Sequence, residues 1–310
     1  MKKDLLGLKD ISAKEIENIL ETARTMKLIL EQPNKKTPHL QGKTVVNLFY
    51  ENSTRTRLSF ELAAKYMSAN AANITASGSS VQKGETLIDT AETINAMGTD
   101  ILVMRHNMSG APHLIAPLVS ASVINAGDGG HQHPTQTLTD LLTIRSLTGR
   151  LDNMTIGLCG DLKFGRTVHS LIEAMVRYPN VKFVLIAPDE LKVPSYIRDD
   201  VLKAHNVEFK EVNSLDAAMP ELDILYMTRV QKERFFNEED YLRLKDSYIL
   251  TPEKLVNAKA DLSILHPLPR VNEISVTVDK DPRAAYWKQV KNGKFIRMAL
   301  IMKLLGLSPS

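Results

Sequence analysis

Apolar positions along the chain alternate between helical spacing and short strand-like runs, and the alternation continues from end to end. Ser12 and Glu15 have the spacing of a capping box, followed by Ile16, Ile19, Leu20, Ala23 and Leu30 at helical intervals before Pro33 closes the segment. Strand-like runs come next at Thr44–Tyr50, Asn70–Ala76, Asp100–Met104 and Ser122–Asn125, separated by helical patterns such as Leu58–Met67 and Thr86–Met97. Pro134 suits the first turn of a longer helix, Pro134–Thr148, and Gly149 is placed to end it. A second series has runs at Met154–Cys159, Val181–Ala187, Asp223–Met227 and Leu262–Leu265, and a last helix covers Pro282–Leu305. This order predicts an α/β chain of two doubly wound domains, each with a mostly parallel sheet flanked by helices. Residues 134–149 form the connector, and the last helix, with no strand after it, is expected to return to the first domain.

The 310 residues leave room for two cores. Charge changes the picture little: 39 Lys and Arg face 36 Asp and Glu, a net +3, and the basic residues are scattered, which argues against a nucleic-acid arm. Cys159, the single cysteine, lies in an apolar run, where core filling is its expected role and a reducing compartment fits. No run approaches the roughly 20 apolar residues of a membrane span. A soluble, cytoplasmic protein with no membrane contact is the expectation.

Candidate chemistry gathers just after the strands. Ser53-Thr54-Arg55-Thr56-Arg57 sits between a strand and a helix start, where unpaired backbone N–H groups, hydroxyls and guanidinium forks suit a phosphate-sized anion. A capped helix start with solvated arginines is the plainer alternative. No G-x-x-x-x-G-K-[ST] run occurs, so the anion need not be a nucleotide. Arg105 and His106, the stretch 127–136, the stretch 160–166, Thr228–Gln231 and His266–Arg270 each follow a strand as well. Ligands of doubly wound sheets bind beyond the carboxyl ends of the strands, so these clusters are expected to share one cleft.

His133 and Gln136, three residues apart at the start of one helix, suit donation and acceptance toward a single ligand. His131 and His133 with Asp128 make a weaker metal set, without a convincing third ligand spacing. Gly157, Gly160 and Gly165 with Asp189 suggest a dinucleotide turn, but the spacing is not G-x-G-x-x-G and Asp161, Lys163 and Arg166 would crowd a pyrophosphate. A tight strand-to-helix turn accounts for the same glycines.

Taken in order, Ser53–Arg57, Lys83-Gly84-Glu85, Met104-Arg105-His106, His133-Pro134-Thr135-Gln136, Gly160–Lys163 with Gly165-Arg166-Thr167, Met227–Gln231 and His266–Arg270 resemble the catalytic chains of the aspartate transcarbamoylase family over essentially the whole length. The first and fourth motifs also resemble ornithine transcarbamoylases. Thr228-Arg229-Val230-Gln231 and His266-Pro267-Leu268-Pro269 discriminate, since the ornithine enzymes carry Cys where Pro267 stands.

The resemblance implies carbamoyl transfer from carbamoyl phosphate to the amine of L-aspartate in pyrimidine synthesis, with no metal and no cofactor. A transcarbamoylase for a different amine acceptor is the alternative; a silent scaffold or polyanion-binding protein would have lost site residues. The implied domains are 1–133 for carbamoyl phosphate with residues 285–310 packing back on it, the connecting helix 134–149, and 150–284 for aspartate. Thr56, Arg105 and His133 are implied at the carbonyl oxygen, and Ser53, Thr54 and Arg55 at the phosphate. Gln136 with the carbonyls of Leu268 and Pro269 takes the carbamoyl NH2, and a cis peptide precedes Pro269. Lys83, Arg166, Arg229 and Gln231 are implied at aspartate. Ser80, or its neighbour Ser79, and Lys83 would enter a neighbouring chain's site, hence a homotrimer, with regulatory chains as further partners. Glu51, Arg166 and Arg234 resemble the charges that pair on domain closure. Phe164 and Asp240 stand where regulated relatives carry Tyr and Glu, which implies weaker or differently wired cooperativity.

Overall fold

The computed structural model describes residues 3–9, 11–76, 84–232 and 235–309. The chain divides into two compact units, Met1–Leu142 with Lys291–Ser310, and Thr143–Val290.

In the first unit, α1 (Ala13–Leu30) starts at Ser12, whose side chain accepts from the Glu15 N–H while the Glu15 carboxylate accepts from the Ser12 N–H. It buries Ile16, Ile19, Leu20, Ala23, Met26 and Leu30. Strands β1 (Thr44–Phe49), β2 (Asn70–Thr75), β3 (Ile101–His106) and β4 (Ser122–Asp128) form an all-parallel sheet in the order β2-β1-β3-β4. Helices α2 (Thr54–Tyr66), α3 (Leu87–Ala96) and α4 (Ala111–Ile115) connect them. Val46, Leu48, Leu102, Met104 and Val123 pack against Ala91, Ile94 and Ile115 in the core.

Helix α5 spans Pro134–Thr148 as the proline and glycine positions predict, and Gly149 takes a φ of 76°. The second unit's sheet, also all parallel, has the order β7-β6-β5-β8-β9 from β5 (Met154–Cys159), β6 (Val181–Ile186), β7 (Glu208–Val212), β8 (Ile224–Met227) and β9 (Ser263–Leu265). Its helices include α6 (Arg166–Met175), α7 (Ser195–Ile197, continuing as a π-helical turn), α8 (Leu215–Ala218) and α9 (Glu238–Leu244). The last helix, α10 (Tyr286–Leu304), belongs to the first unit from Lys291 onward. The α/β class with parallel sheets and flanking helices is the one the patterning predicts.

Some bounds differ from those expected. α2 begins at Thr54 rather than Leu58, because Ser53 caps it and the polar residues after it continue the helix. β3 and β4 run on through Arg105–His106 and Ala126–Asp128, where buried polar side chains hide the strand pattern. β7, an edge strand reading Glu-Phe-Lys-Glu-Val, was not expected at all.

Candidate active site

In the first sheet, β1 continues to β2 on one side and borders β3 on the other, so their carboxyl ends flank the point where the winding reverses. The Ser53 segment and Arg105 lie there. Ser53 is extended, with φ −158°, and its hydroxyl accepts from the Thr56 N–H at 3.4 Å. Thr56 is buried while Thr54 and Arg55 are exposed, and the first turn of α2 holds no acidic residue. That leaves a positive helix end with hydroxyls and a guanidinium around it.

Arg105, 8% exposed, is held from several directions. It donates to the Glu51 carboxylate at 2.5 Å and the Ala126 carbonyl at 3.1 Å, and its Nη1 faces His133 Nε2 at 3.3 Å. A guanidinium can only donate, so that imidazole nitrogen accepts and the neutral ring carries its proton on Nδ1. Glu51, Arg105 and His133 therefore form one cluster at the ends of β1, β3 and the start of α5. Gln136, one turn along α5, donates from its amide to Asp140 at 2.7 Å.

Asp128 serves the adjoining loop. Its carboxylate accepts from the Gly110 and Gln132 N–H groups at 2.9 and 3.0 Å, from the Asn125 amide at 3.1 Å, and pairs with His131 at 2.9 Å. Among the described residues no group of three or more His, Cys, Asp or Glu is arranged to hold a metal ion.

In the second sheet β5 and β8 flank the corresponding reversal. A Cβ on Gly160, whose φ is 117°, would lie 2.3 Å from the Thr228 carbonyl, so glycine lets the two strand ends meet. Gly165 meets the Asp161 carbonyl and Gly157 the Leu222 side chain in the same way, which gives each glycine of the dinucleotide-like set a packing reason. The Thr228 hydroxyl donates to Cys159 O and accepts from the Asp161 N–H, at 3.0 Å each. Asp161, fully buried, accepts from Phe164 N–H at 2.9 Å and Gln231 N–H at 3.4 Å. Burial raises its carboxyl above the ordinary value, against these backbone donors and the Arg229 charge. Thus Asp161 ties the loop bearing Arg166 to the loop bearing Arg229 and Gln231. Both arginines are half-buried. Phe164 packs edge-on against Phe235, which does the same against Tyr241.

The segment after β9 turns through a cis Leu268–Pro269 peptide. His266, 1% exposed, organises it. Its Nδ1 accepts from the Leu268 N–H at 2.7 Å and its Nε2 lies 2.6 Å from Glu273, whose other oxygen accepts from the Val271 and Asn272 N–H groups. Burial lowers the His266 pKa; Glu273 is also lowered, because His266 and the backbone donors outweigh its own burial. The pair is a neutral imidazole donating to a carboxylate.

Lys83, Ser79, Ser80 and Arg234 lie outside the described residues. Sequence reasoning passed over Asp140 and Glu273, which hold Gln136 and His266, and the buried Arg297 of α10. Asp140 and Arg297 showed only as charges inside helical stretches, and Glu273 as a charge in a loop.

The pattern of an Aspartate/ornithine carbamoyltransferase, carbamoyl-P binding domain matches residues 3–146, and that of an Aspartate/ornithine carbamoyltransferase, Asp/Orn binding domain matches residues 152–304. The chain belongs to the aspartate/ornithine carbamoyltransferase family. Within it, the chain is 56% identical over 308 residues to the aspartate carbamoyltransferase catalytic subunit of Lachnoclostridium phytofermentans, covering 99% of each. A Clostridium botulinum subunit of the same name is 56% identical, covering 98% of each chain. The solved catalytic subunit of M. jannaschii aspartate transcarbamoylase superposes with a TM-score of 0.91 at 45% identity over 98% of each chain. The solved aspartate transcarbamoylase from Trypanosoma cruzi, in complex with carbamoyl phosphate and aspartate, gives 0.91 at 36% identity, over 96% of this chain and 95% of that one. These relatives place the chain on the aspartate side of the family, as the motifs at 228–231 and 266–269 imply.

Proposed function

We propose a division of labour between the two units for the reaction this chain catalyses, transfer of the carbamoyl group of carbamoyl phosphate to L-aspartate, giving carbamoyl aspartate and phosphate in pyrimidine biosynthesis. The observation that carries it is the Glu51–Arg105–His133 cluster beside the capped start of α2, at the reversal point of the first sheet.

Ser53, Thr54, Arg55 and the α2 N-terminus hold the phosphate and offset its charge as the C–O bond breaks. Thr56, Arg105 and His133 surround the carbamoyl oxygen, where negative charge grows in the tetrahedral state. Each such donor is worth about 2.7 to 4 kcal/mol in comparable sites. His133 donates from Nδ1, the nitrogen that keeps its proton, and Arg105 leaves Glu51 in part to serve the oxygen. Gln136 and the carbonyls of Leu268 and Pro269 accept the carbamoyl NH2.

In the second unit, Arg166 and Arg229 take the two carboxylates of aspartate as planar forks, with Gln231 beside them. The cationic side chain of ornithine is repelled by the same groups. Lys83 and Ser80 complete the site from a neighbouring chain of a homotrimer, Glu51 and Arg234 act in domain closure, and the enzyme works in the cytoplasm. The relatives' designation as catalytic subunits fits a larger assembly with regulatory chains.

Phosphate release from carbamoyl phosphate, followed with L-aspartate and L-ornithine in parallel under a chelator, tests the reading. Release with aspartate alone supports it, and release with ornithine alone overturns the assignment of Arg166 and Arg229.

A further inference from the structure

Gln136 is the one side chain assigned above to the carbamoyl NH2, and an amide side chain is ambiguous by nature: one branch accepts, the other donates. Here a neighbour removes the ambiguity. Asp140, one turn later on α5 and fully buried, receives the Gln136 amide nitrogen at 2.7 Å. An ionised carboxylate has no proton to give, so the branch facing it must be the NH2. The carbonyl oxygen is then the branch left for a ligand.

We propose that Asp140 is a positioning residue that fixes the Gln136 amide with its carbonyl toward the substrate, and so makes the site select an acyl phosphate bearing NH2 over one bearing a methyl group. This rests on the role given to Gln136 above. An amide free to turn would present NH2 to the carbamoyl NH2, donor against donor, for part of the time.

A buried carboxylate needs a charge to offset it. Arg297 of α10, 4% exposed, supplies one. Its guanidinium lies over the Phe60 ring of α2 at 5.2 Å from the centroid. It also covers Gly293, where a Cβ would stand 2.4 Å from Nη1 and 3.6 Å from the Thr139 methyl of α5. Glycine at 293 therefore admits the guanidinium against α5. Burial pulls the Arg297 pKa down to about 10, and the Asp140 charge opposes that fall while Arg105 adds to it. The C-terminal helix thus places a cation behind both the helix that starts at Ser53 and the helix that bears Gln136.

The test is the KM for carbamoyl phosphate against the Ki of acetyl phosphate as a competitor, in the wild type, Asp140→Asn and Gln136→Ala. An asparagine donates as readily as it accepts and no longer fixes its neighbour. In Asp140→Asn the KM is expected to rise about twofold, because about half of the Gln136 amides then face the substrate the wrong way, with the acetyl phosphate Ki unchanged. Gln136→Ala should move the same ratio the same way, and Asp140→Glu, which keeps the carboxylate, should retain most of the discrimination. Equal weakening of both ligands in Asp140→Asn would show a merely structural role and overturn the proposal. A ratio lost in Gln136→Ala but kept in Asp140→Asn would overturn it while leaving the Gln136 assignment intact. A ratio unchanged in both would overturn that assignment as well. Should Asp140→Asn fail to fold, Asp140→Ser is read by the same ratio, since a hydroxyl also donates and accepts.

Discussion

The chemistry of the site comes down to a few side chains held in place by their neighbours. Arg105 is nearly buried, so its charge is screened little, and Glu51, Ala126 O and His133 help define where it points. Arg105→Ala should lower kcat/KM by about 10²- to 10³-fold with the fold intact, the scale of one lost oxyanion donor. Steady-state phosphate release with a melting curve checks it. Glu273 is a different case. Truncating it to Ala strands His266 and two backbone N–H groups, and a buried donor without a partner costs about 1 to 3 kcal/mol. Denaturant unfolding should show that loss, and the KM for carbamoyl phosphate should rise because Leu268 loses its anchor. The sequence pattern placed Arg105 near the carboxyl end of a strand and His133 and Gln136 at the start of a helix. Glu273 and Asp140 were not legible in it, since a carboxylate seven or four residues from its partner looks like any solvated charge until burial is known.

At the level of elements, capping and turn chemistry were read most directly. Ser12 with Glu15 forms its reciprocal cap, and Pro134 with Gly149 brackets α5. Ser12→Ala should cost about 1 kcal/mol of stability without altering kinetics, measurable by denaturant midpoint at constant slope. Strand ends were less legible. β3 and β4 carry Arg105, His106, Asn125 and Asp128 inside the sheet, where they are fully or nearly buried and hydrogen-bonded, and no hydropathy pattern marks such residues as interior. β7 failed for the opposite reason: as an edge strand its charged positions stay in water. The helix placements rest on the same physics, with apolar faces turned to a parallel sheet. Gly160 is where element geometry meets function. An alanine there meets the Thr228 carbonyl at a φ that side chains avoid, so Gly160→Ala should destabilise by more than about 1 kcal/mol and raise the aspartate KM more than that of carbamoyl phosphate.

For the whole chain, pH and association are the properties that no single residue sets. His106, His169 and His266 are all pushed below the ordinary histidine value of 6.5 by burial, so the native state holds fewer protons there than the unfolded chain. Stability rises with pH wherever the unfolded state binds more protons. Their contribution is complete above about pH 6.5 and is lost as the pH falls toward their lowered native values, so the melting midpoint should be level from pH 7 to 8 and drop below pH 6.5. A midpoint that rises on acidification would contradict the neutral assignment of His266. Association carries the sharper test, because the proposed trimer makes each site depend on Arg105 from one chain and Lys83 from the next. Arg105→Ala and Lys83→Ala chains are each expected to be nearly inactive alone. Unfolded together and refolded as a mixture of equal parts, they would form mixed trimers. A site is intact only where a chain with its own Arg105 adjoins one with its own Lys83, which chance places at about a quarter of sites in a cyclic trimer. Recovery of about that fraction of wild-type activity on mixing, with none from either variant treated alone, is the expected result. If each chain instead completes its own site, every chain in the mixture still lacks one of the two residues and no activity returns.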